Sequence, residues 1–177
     1  PQSARLLTNV YPDLAATAQL TSYDPCWTIM LSLQADIRSI DMSQDQIFPL
    51  RNEAAGIGLA VPEIIRFVNG PALTTSEPSA LTIQATGAWS QKHLYDDPQL
   101  VIARLCVIWE EISGQPLPPI LDASAHRWLY AKVIKVANEN APRHSDDKKM
   151  AIAGDWLKGP RVEQAFDSGT AAYLGLC

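Results

Sequence analysis

Cysteine is scarce in this sequence, and its few copies form no recognisable pattern. The chain of 177 residues contains three cysteines, Cys26, Cys106 and Cys177. They are odd in number, they form no C-x-x-C pair, and no histidine lies at metal-ligand spacing from them. The sequence therefore predicts neither a disulfide framework nor a metal site, and it favours a reducing compartment.

The sequence also lacks a long hydrophobic run and an excess of positive charge. No stretch approaches the roughly 18 apolar residues that a membrane span requires, and the N-terminal PQSARLLTNVYPD has no signal-peptide layout. The formal net charge is −5, and the basic residues are scattered, with one adjacent pair at Lys148 and Lys149. We expect a cytoplasmic protein that binds neither membranes nor nucleic acid.

The signature motifs of several enzyme classes are absent as well. The sequence has no G-x-S-x-G, no H-E-x-x-H and no Walker loop, so a hydrolase has no nucleophile or metal motif to support it. Gly56-Ile57-Gly58 is the one G-x-G, but no third glycine follows at the required spacing and no βαβ unit surrounds it. We interpret this segment as a turn.

What the sequence does have is enough apolar material for one substantial core. Hydrophobic residues make up 47% of the chain and charged residues 19%, and a chain of this length can bury roughly 70% of its unfolded surface. The two-residue period of a half-buried strand runs through CWTIMLSLQ, and further strands are indicated at Ile64–Val68, at Ser79–Thr86 and through AHRWLYAKVI. Together they predict an antiparallel or mixed sheet.

Helices are predicted by signals at their ends. Asp97 and the proline after it mark the start of a helix that Gly114 closes, and its nearly all-apolar sequence predicts burial against the sheet. Asp13 is a candidate cap for a shorter helix through Leu20. The last segment, VEQAFDSGTAAYLGL, places apolar and small residues at helical spacing.

The C-terminal segment combines a predicted short buried strand, MAIAGDW, with a turn and the last helix. Free N–H groups at the helix start, around Arg161 to Gln164, would carry the positive end of the helix dipole. Asp155, at the strand end, could accept hydrogen bonds from ligand hydroxyls. The layout favours an anion or dipole site, although an ordinary strand, turn and packed helix has the same pattern.

Four segments occur in an order that resembles one enzyme family. They are SYDPCWTIMLSL, ATGAWSQKHLYDDP, AHRWLYA and AGDWLKGPRVEQAFDSGTAAYL. The series resembles FAD-dependent oxidoreductases of the amine-oxidase type, most closely their bacterial renalase-like branch. The resemblance implies an α+β fold in which residues 1–150 form a substrate-binding domain with a mixed or antiparallel sheet packed by helices. Residues 151–177 would be the C-terminal piece of the FAD-binding domain.

The resemblance also implies FAD as the cofactor, contacted by the C-terminal turn and helix. The matching positions are Gly154, Asp155, Trp156, Arg161, Val162 and Glu163. Asp155 would hydrogen-bond the linker between ribityl and phosphate, and the helix N–H groups would point at the pyrimidine edge of the flavin. Gln164 departs from the family pattern, which has glycine there. The G-x-G-x-x-G lobe is absent from this chain, so weak or no FAD binding is expected from these residues alone.

A second group of candidate residues lies in the late strand. Strand alternation sends His126, Trp128 and Tyr130 to one face and Arg127 to the other. Taken by themselves, these residues are explained by packing on the sheet, with hydrogen bonds to their polar ends. The resemblance implies instead that this face lines the substrate and flavin cavity. No residue is predicted to be catalytic.

The function implied by the resemblance is oxidation of a small amine or dihydronicotinamide by hydride transfer to flavin. The chain alone would be inactive, and its partner would be the N-terminal FAD-binding lobe that it lacks. A domain without its partner exposes the old interface, so we also expect self-association. The alternative is a non-catalytic binding or interaction module that kept the sheet and lost the flavin, which Gln164 and the absent lobe favour.

Overall fold

A computed structural model of the chain describes residues 2–34, 50–63, 79–138 and 141–177. These residues form an α+β fold, so the predicted fold class is confirmed. The helices are α1 (Gln2–Leu7), α2 (Pro12–Gln19), α3 (Gly87–Lys92), α4 (Pro98–Ser113) and α5 (Val162–Leu176). The strands are β1 (Ser22–Leu33), β2 (Leu50–Asn52), β3 (Ile57–Glu63), β4 (Ser79–Ala85) and β5 (Ile120–Lys135).

The five strands form one sheet in the order β2-β3-β4-β1-β5. Pairing is antiparallel between β1 and β4, between β3 and β4 and between β2 and β3. Ile29 on β1 lies opposite Ile83 on β4, and both side chains are fully buried. The predicted antiparallel or mixed sheet is therefore confirmed.

The side chains of β1 follow the predicted alternation. Trp27, Ile29, Leu31 and Leu33 are buried, whereas Met30 between them is exposed. The strand begins at Ser22, earlier than its apolar pattern indicates, and it includes the Asp-Pro pair that precedes CWTIMLSLQ. Proline is tolerated near the start of a strand because it removes only one backbone donor there.

The chain divides into two compact units, Pro1–Asp24 with Tyr130–Cys177, and Pro25–Leu129. The core of the second unit contains the buried face of α4 and the inner residues of β1 and β4. The core of the first unit is smaller and consists of Leu14, Ala137, Ile152 and Leu157. The C-terminal segment lies in the same unit as α1 and α2. The assignment of residues 1–150 and 151–177 to two domains of a larger enzyme stays a prediction.

Both predicted ends of α4 are confirmed. A carboxylate oxygen of Asp97 accepts a hydrogen bond from the Gln99 amide at 2.8 Å, and Gly114 ends the helix in the left-handed conformation with φ 69°. The predicted burial against the sheet is confirmed for one face of the helix, whereas Leu100 and Val107 on the rest of its surface are exposed. Only the stripe that includes Trp109 packs into the core, as expected for a surface helix with one buried face.

Two other helix starts differ from the sequence interpretation. The helix α2 begins at Pro12 with Tyr11 as its N-cap residue, so Asp13 lies in the first turn and does not cap the helix. Proline favours the first helical position because its φ is already helical and its missing N–H would have no partner there. The short helix α3 has no counterpart among the predictions; the Thr86 hydroxyl caps it by accepting the Trp89 amide at 3.2 Å.

The segment around Gly56 forms a turn, as predicted. Gly56 has φ 100°, and β3 begins at the next residue. A side chain at this position would also collide with the Trp89 ring, so both the backbone and the packing require glycine. The strand predicted at Ile64–Val68 lies outside the described residues.

The prediction of a buried strand in MAIAGDW is wrong. Ala151 forms only an isolated antiparallel bridge with His144, and a single 3-10 turn, Asp155–Leu157, follows. The helix α5 spans the predicted residues, but its predicted apolar stripe faces outward. Val162 is 84% exposed and Phe166 is 74% exposed, whereas the fully covered residue of α5 is Ser168. No helix in the described part of the chain is long and apolar enough to cross a membrane.

Candidate functional site

The turn before α5 is built on Gly154. Its φ of 150° is a conformation that other residues rarely adopt, and a Cβ atom there would lie 2.5 Å from Cδ1 of Trp156. The Gly154 amide donates a hydrogen bond to the Ser168 hydroxyl at 3.1 Å, which ties the turn to the buried side of α5. Glycine at this position thus holds the following Asp155 in a defined place.

The turn carries one acidic side chain, that of Asp155. Its residue is half-buried, and within the described ranges its carboxylate has neither a hydrogen bond nor an ion pair. Its backbone carbonyl accepts the Lys158 amide at 2.9 Å, so the main chain is satisfied while the side chain is free. A half-buried carboxylate without a protein partner is available to a ligand that donates hydrogen bonds.

Tyr23 is a neighbour of this carboxylate that the sequence interpretation missed. Burial raises the pKa of the Tyr23 phenol; a hydrogen bond with Thr21 opposes this rise, and the negative charge of Asp155 adds to it. The Tyr23 ring packs edge to face on the Tyr130 ring with centroids 5.6 Å apart. Tyr23 lies in the motif SYDPCW, but strand alternation alone does not indicate which charge it approaches.

The N-terminus of α5 is open. Arg161 is its N-cap residue with extended backbone and no capping hydrogen bond from its side chain, and the Arg161 carbonyl accepts the Ala165 amide at 3.1 Å. The amides of Val162, Glu163 and Gln164 have no partner among the residues that the structure describes. Such N–H groups carry the positive end of the helix dipole, so this end can receive a negative or polar group.

Gln164 is turned back on the preceding loop. Its side-chain amide occupies the space where a Cβ atom of Gly159 would lie, and Gly159 has φ 141°. The Oε1 atom of Gln164 is buried and has no hydrogen-bond partner in the described structure. The Gln164 side chain therefore packs in the space that a side chain at position 159 would occupy, within the turn.

Trp156 contributes to packing. Its ring lies against the smaller core, which includes Ile152 and Leu157, and its carbonyl accepts the Ala137 amide at 3.3 Å. Arg161, Val162 and Glu163 are exposed at the start of α5. The cofactor-binding role of these residues and of Gly154 and Asp155 stays a prediction.

The candidate cavity residues of β5 fall in both units. His126 and Trp128, in the second unit, pack edge to face with ring centroids 4.3 Å apart, and Trp128 is 53% exposed. Tyr130, in the first unit, packs on Tyr23 and is 47% exposed. All three side chains are exposed, and their role in lining a cavity stays a prediction.

Arg127 is directed to the other side of β5, as its alternation predicts. Its guanidinium donates a hydrogen bond to the Leu94 carbonyl and lies 5.8 Å from the ring centroids of Trp27 and Tyr95. These contacts fix the loop after α3. Arg127 thus has a structural role in the second unit.

A polar cluster that the sequence interpretation did not find joins α3 to α4. The carboxylate of Asp96 lies 2.7 Å from Nδ1 of His93 and 2.6 Å from a guanidinium nitrogen of Arg104. The Trp27 indole donates to the His93 carbonyl at 2.9 Å, and the Trp89 ring stacks on the imidazole. The polar groups of these residues are therefore paired with one another. No group of three His, Cys, Asp or Glu residues in the described ranges is arranged to hold a metal ion.

The three cysteines should differ in reactivity. Burial raises the pKa of the Cys106 thiol to about 11, with a smaller contribution from the Glu110 charge, whereas Cys177 is exposed. Because the thiolate is the reactive form, we expect iodoacetamide at pH 8 to label Cys177 at least about tenfold faster than Cys106. Peptide mass spectrometry gives both rates, and labelling in urea is the control, where the rates should converge. Equal rates in the native protein would contradict the burial of Cys106.

One solved structure has a similar fold within a longer chain. The crystal structure of a candidate protoporphyrinogen oxidase from Exiguobacterium sp. 255-15 matches with a TM-score of 0.57 and 11% sequence identity. The match covers 98% of this chain and 38% of that chain, so these 177 residues span well under half of the solved protein. No family model matches the sequence. At this identity the likeness establishes the fold.

Proposed function

We propose that this chain is part of a flavin-dependent oxidoreductase that oxidises a small amine or dihydronicotinamide. The observation that carries the proposal is the half-buried Asp155 carboxylate, which has no partner in the described structure and precedes the open N-terminus of α5. An acceptor for ligand hydroxyls and a set of donors for an electron-rich ring edge are two of the groups that would bind a flavin nucleotide.

The residues present fit FAD. Asp155 would accept hydrogen bonds from the cofactor's linker, and the amides of Val162, Glu163 and Gln164 would donate to its ring edge. A side chain in place of the family glycine would crowd the cofactor if it pointed toward it, but the Gln164 side chain packs into the loop over Gly159. Bound FAD would supply a hydride acceptor. The pyrophosphate and adenosine would be held by chain outside these residues.

The accessible rings of β5 support a role in substrate binding. Trp128, with His126 packed on its edge, and Tyr130, packed on Tyr23, offer apolar faces that bind planar or cationic groups and exclude water. The choice of an amine or dihydronicotinamide rests on the four-motif resemblance. The name of the similar solved structure independently favours an oxidation reaction.

The longest natural gene product that contains this sequence tests the proposal. We expect the purified protein to be yellow, with flavin absorption bands, and we expect Asp155→Asn to weaken FAD binding about tenfold to a hundredfold, the loss typical of a charged hydrogen bond. Asp167→Asn is the matched control, since Asp167 lies on α5 and, among the described residues, forms a surface ion pair with Lys158 alone at 3.9 Å. A protein that stays colourless after incubation with FAD would rule the proposal out.

A non-catalytic interaction module is the second candidate. The outward stripe of α5, including Val162, Phe166 and Tyr173, favours it, because contiguous exposed apolar residues usually mark a binding surface. A colourless full-length protein that still forms a stable complex through this helix would support the module. Flavin binding that depends on Asp155 would exclude it.

A further inference from the structure

Three polar atoms at the end of α3 lie in mutual contact. Nδ1 of His93 is 2.7 Å from Oδ2 of Asp96 and 2.6 Å from Nη1 of Arg104, and Nη1 is 2.6 Å from the same Oδ2. Each distance is within the range of a hydrogen bond. The three contacts cannot all be hydrogen bonds at once, because the single Nδ1 atom either carries a hydrogen or offers a lone pair.

The position of one proton therefore decides which atoms are bonded. When Nδ1 carries a hydrogen, it donates to Asp96, and Arg104 finds no acceptor on the imidazole. When the ring hydrogen is on Nε2 instead, Arg104 donates to both Nδ1 and Asp96. The second arrangement accounts for both contacts of Arg104, but it leaves two acceptors, Nδ1 and Oδ2, facing each other. A proton added between these two atoms removes their repulsion.

The imidazole is held in place, whereas the guanidinium is able to leave. The uncharged Trp89 ring of α3 stacks on the His93 ring with centroids 4.1 Å apart, and the Trp27 indole of β1 donates to the His93 carbonyl at 2.9 Å. The side chain of His93 is 14% exposed, and that of Arg104 is 41% exposed. If the two side chains repel each other, Arg104 is therefore the one that moves.

We propose that His93, Asp96 and Arg104 form a proton-controlled latch between α3 and α4. With a neutral imidazole, Arg104 of α4 donates to His93 and to Asp96, which joins the two helices. Uptake of one proton from solvent places a hydrogen between Nδ1 and Oδ2 and a positive charge beside the guanidinium, so Arg104 turns outward while Asp96 stays with His93. Histidine is the side chain that ordinarily changes its charge between about pH 5 and 8, so the latch responds in that range.

The charged groups in contact with the imidazole come from two elements. Asp96 faces it from the loop after α3, and Arg104 faces it from α4. Arg127 of β5 lies one residue further along the loop, where its guanidinium donates to the Leu94 carbonyl. All these residues belong to the second unit, whereas Asp155 and the start of α5 belong to the first. The latch therefore does not rest on the flavin proposal.

Nitrogen-15 NMR of the 177-residue chain, labelled at histidine, shows which ring nitrogen of His93 carries hydrogen. At about pH 8 we expect a bare Nδ1 in at least about nine-tenths of the molecules, because a charged hydrogen bond from Arg104 favours that tautomer at least about tenfold. At about pH 5 we expect hydrogen on both nitrogens. A hydrogen on Nδ1 at the higher pH, or a ring that takes up no proton between the two, would overturn the proposal.

Two substitutions distinguish the latch from an ordinary histidine–aspartate pair. Arg104→Met removes the donor, so the neutral imidazole should place its hydrogen on Nδ1, toward Asp96, and the tautomer ratio should shift at least about tenfold. Lys92→Met is the matched control, because it removes the positive charge of the exposed residue just before His93, and it should leave the ratio unchanged. A bare Nδ1 in the Arg104→Met variant would contradict the latch.

Arg104 provides an independent readout in the unaltered protein. Hydrogen bonds at Nη1 slow rotation about the bond between Cζ and Nη1, and arginine-labelled NMR measures that rotation. We expect it to be at least about tenfold faster at about pH 5 than at about pH 8, since the guanidinium loses a hydrogen bond when His93 gains a proton. Arg127, whose acceptor is the Leu94 carbonyl, is the internal reference and should change little. Rotation of Arg104 that stays constant while His93 is protonated would overturn the proposal.

Discussion

Replacing Trp109 with alanine is expected to lower the free energy of unfolding by about 3–5 kcal/mol. Trp109 has no solvent exposure, and it lies in the larger core with Leu105 of α4 and the inner side chains of the sheet. Its removal leaves a cavity that the paired strands cannot close, because their register is held by backbone hydrogen bonds. Urea denaturation of the 177-residue chain, followed by circular dichroism, measures the loss.

Two variants of the same helix serve as controls. Val107→Ala should change stability by no more than about 0.5 kcal/mol, because Val107 lies on the exposed side of α4. Trp109→Phe should cost less than about 2 kcal/mol: it keeps most of the ring volume and removes a buried indole N–H that has no partner in the described structure. If Val107→Ala and Trp109→Ala cost the same, the assignment of the buried face of α4 is wrong.

Gly154→Ala is expected to destabilise the protein by about 2–4 kcal/mol. Two costs combine, namely a strained backbone at φ 150° and a collision of the new Cβ with the Trp156 indole. The indole cannot swing away freely because it packs against the smaller core. Under the proposed function, the variant should also weaken FAD binding by the longest natural gene product, since the turn holds Asp155.

The control for Gly154→Ala is the same substitution at Gly169 on α5. Gly169→Ala should raise the free energy of unfolding by about 0.5–1 kcal/mol, because its backbone is helical and nothing lies within 4 Å of the added methyl group. Combining Gly154→Ala with Trp156→Ala separates the two costs, since the double variant relieves the collision and retains the backbone strain. A Gly154→Ala variant as stable as the parent would show that this turn adopts a different conformation.

Part of the candidate site follows from the sequence. The Gly-Asp pair, the loop and the helix start at Arg161 to Gln164 are neighbours along the chain, so their turn and helix signals place them together. The free carboxylate of Asp155 and the neighbouring Tyr23 do not follow in the same way. Tyr23 precedes Asp155 by more than a hundred residues, and only tertiary folding brings the phenol within the field of that charge.

The placement of Gln164 also depends on the folded loop. The sequence shows a glutamine where the family pattern has glycine, which suggests a side chain that crowds the cofactor. In the folded chain the side chain rests over Gly159, because a glycine with positive φ leaves that space empty. Whether a side chain crowds a site therefore depends on where its neighbours leave space for that side chain.

The strand prediction for MAIAGDW failed for a related reason. A short apolar run is compatible with a buried strand, but a strand also needs a partner along each edge that it buries. Within the described residues its first part, Met150 to Ile152, pairs with Arg143 and Ser145, which yields a single bridge at Ala151.

The sequence by itself determined the elements whose signals are local. An aspartate, a proline and a terminal glycine define α4, and the two-residue alternation defines β1 and β5, because caps and side-chain periods act within a few residues. Only the tertiary structure decided which surfaces stay open, among them the outward stripe of α5 and the unpaired Asp155 carboxylate. Exposure is set by what other segments cover, and that depends on contacts between residues far apart in the chain.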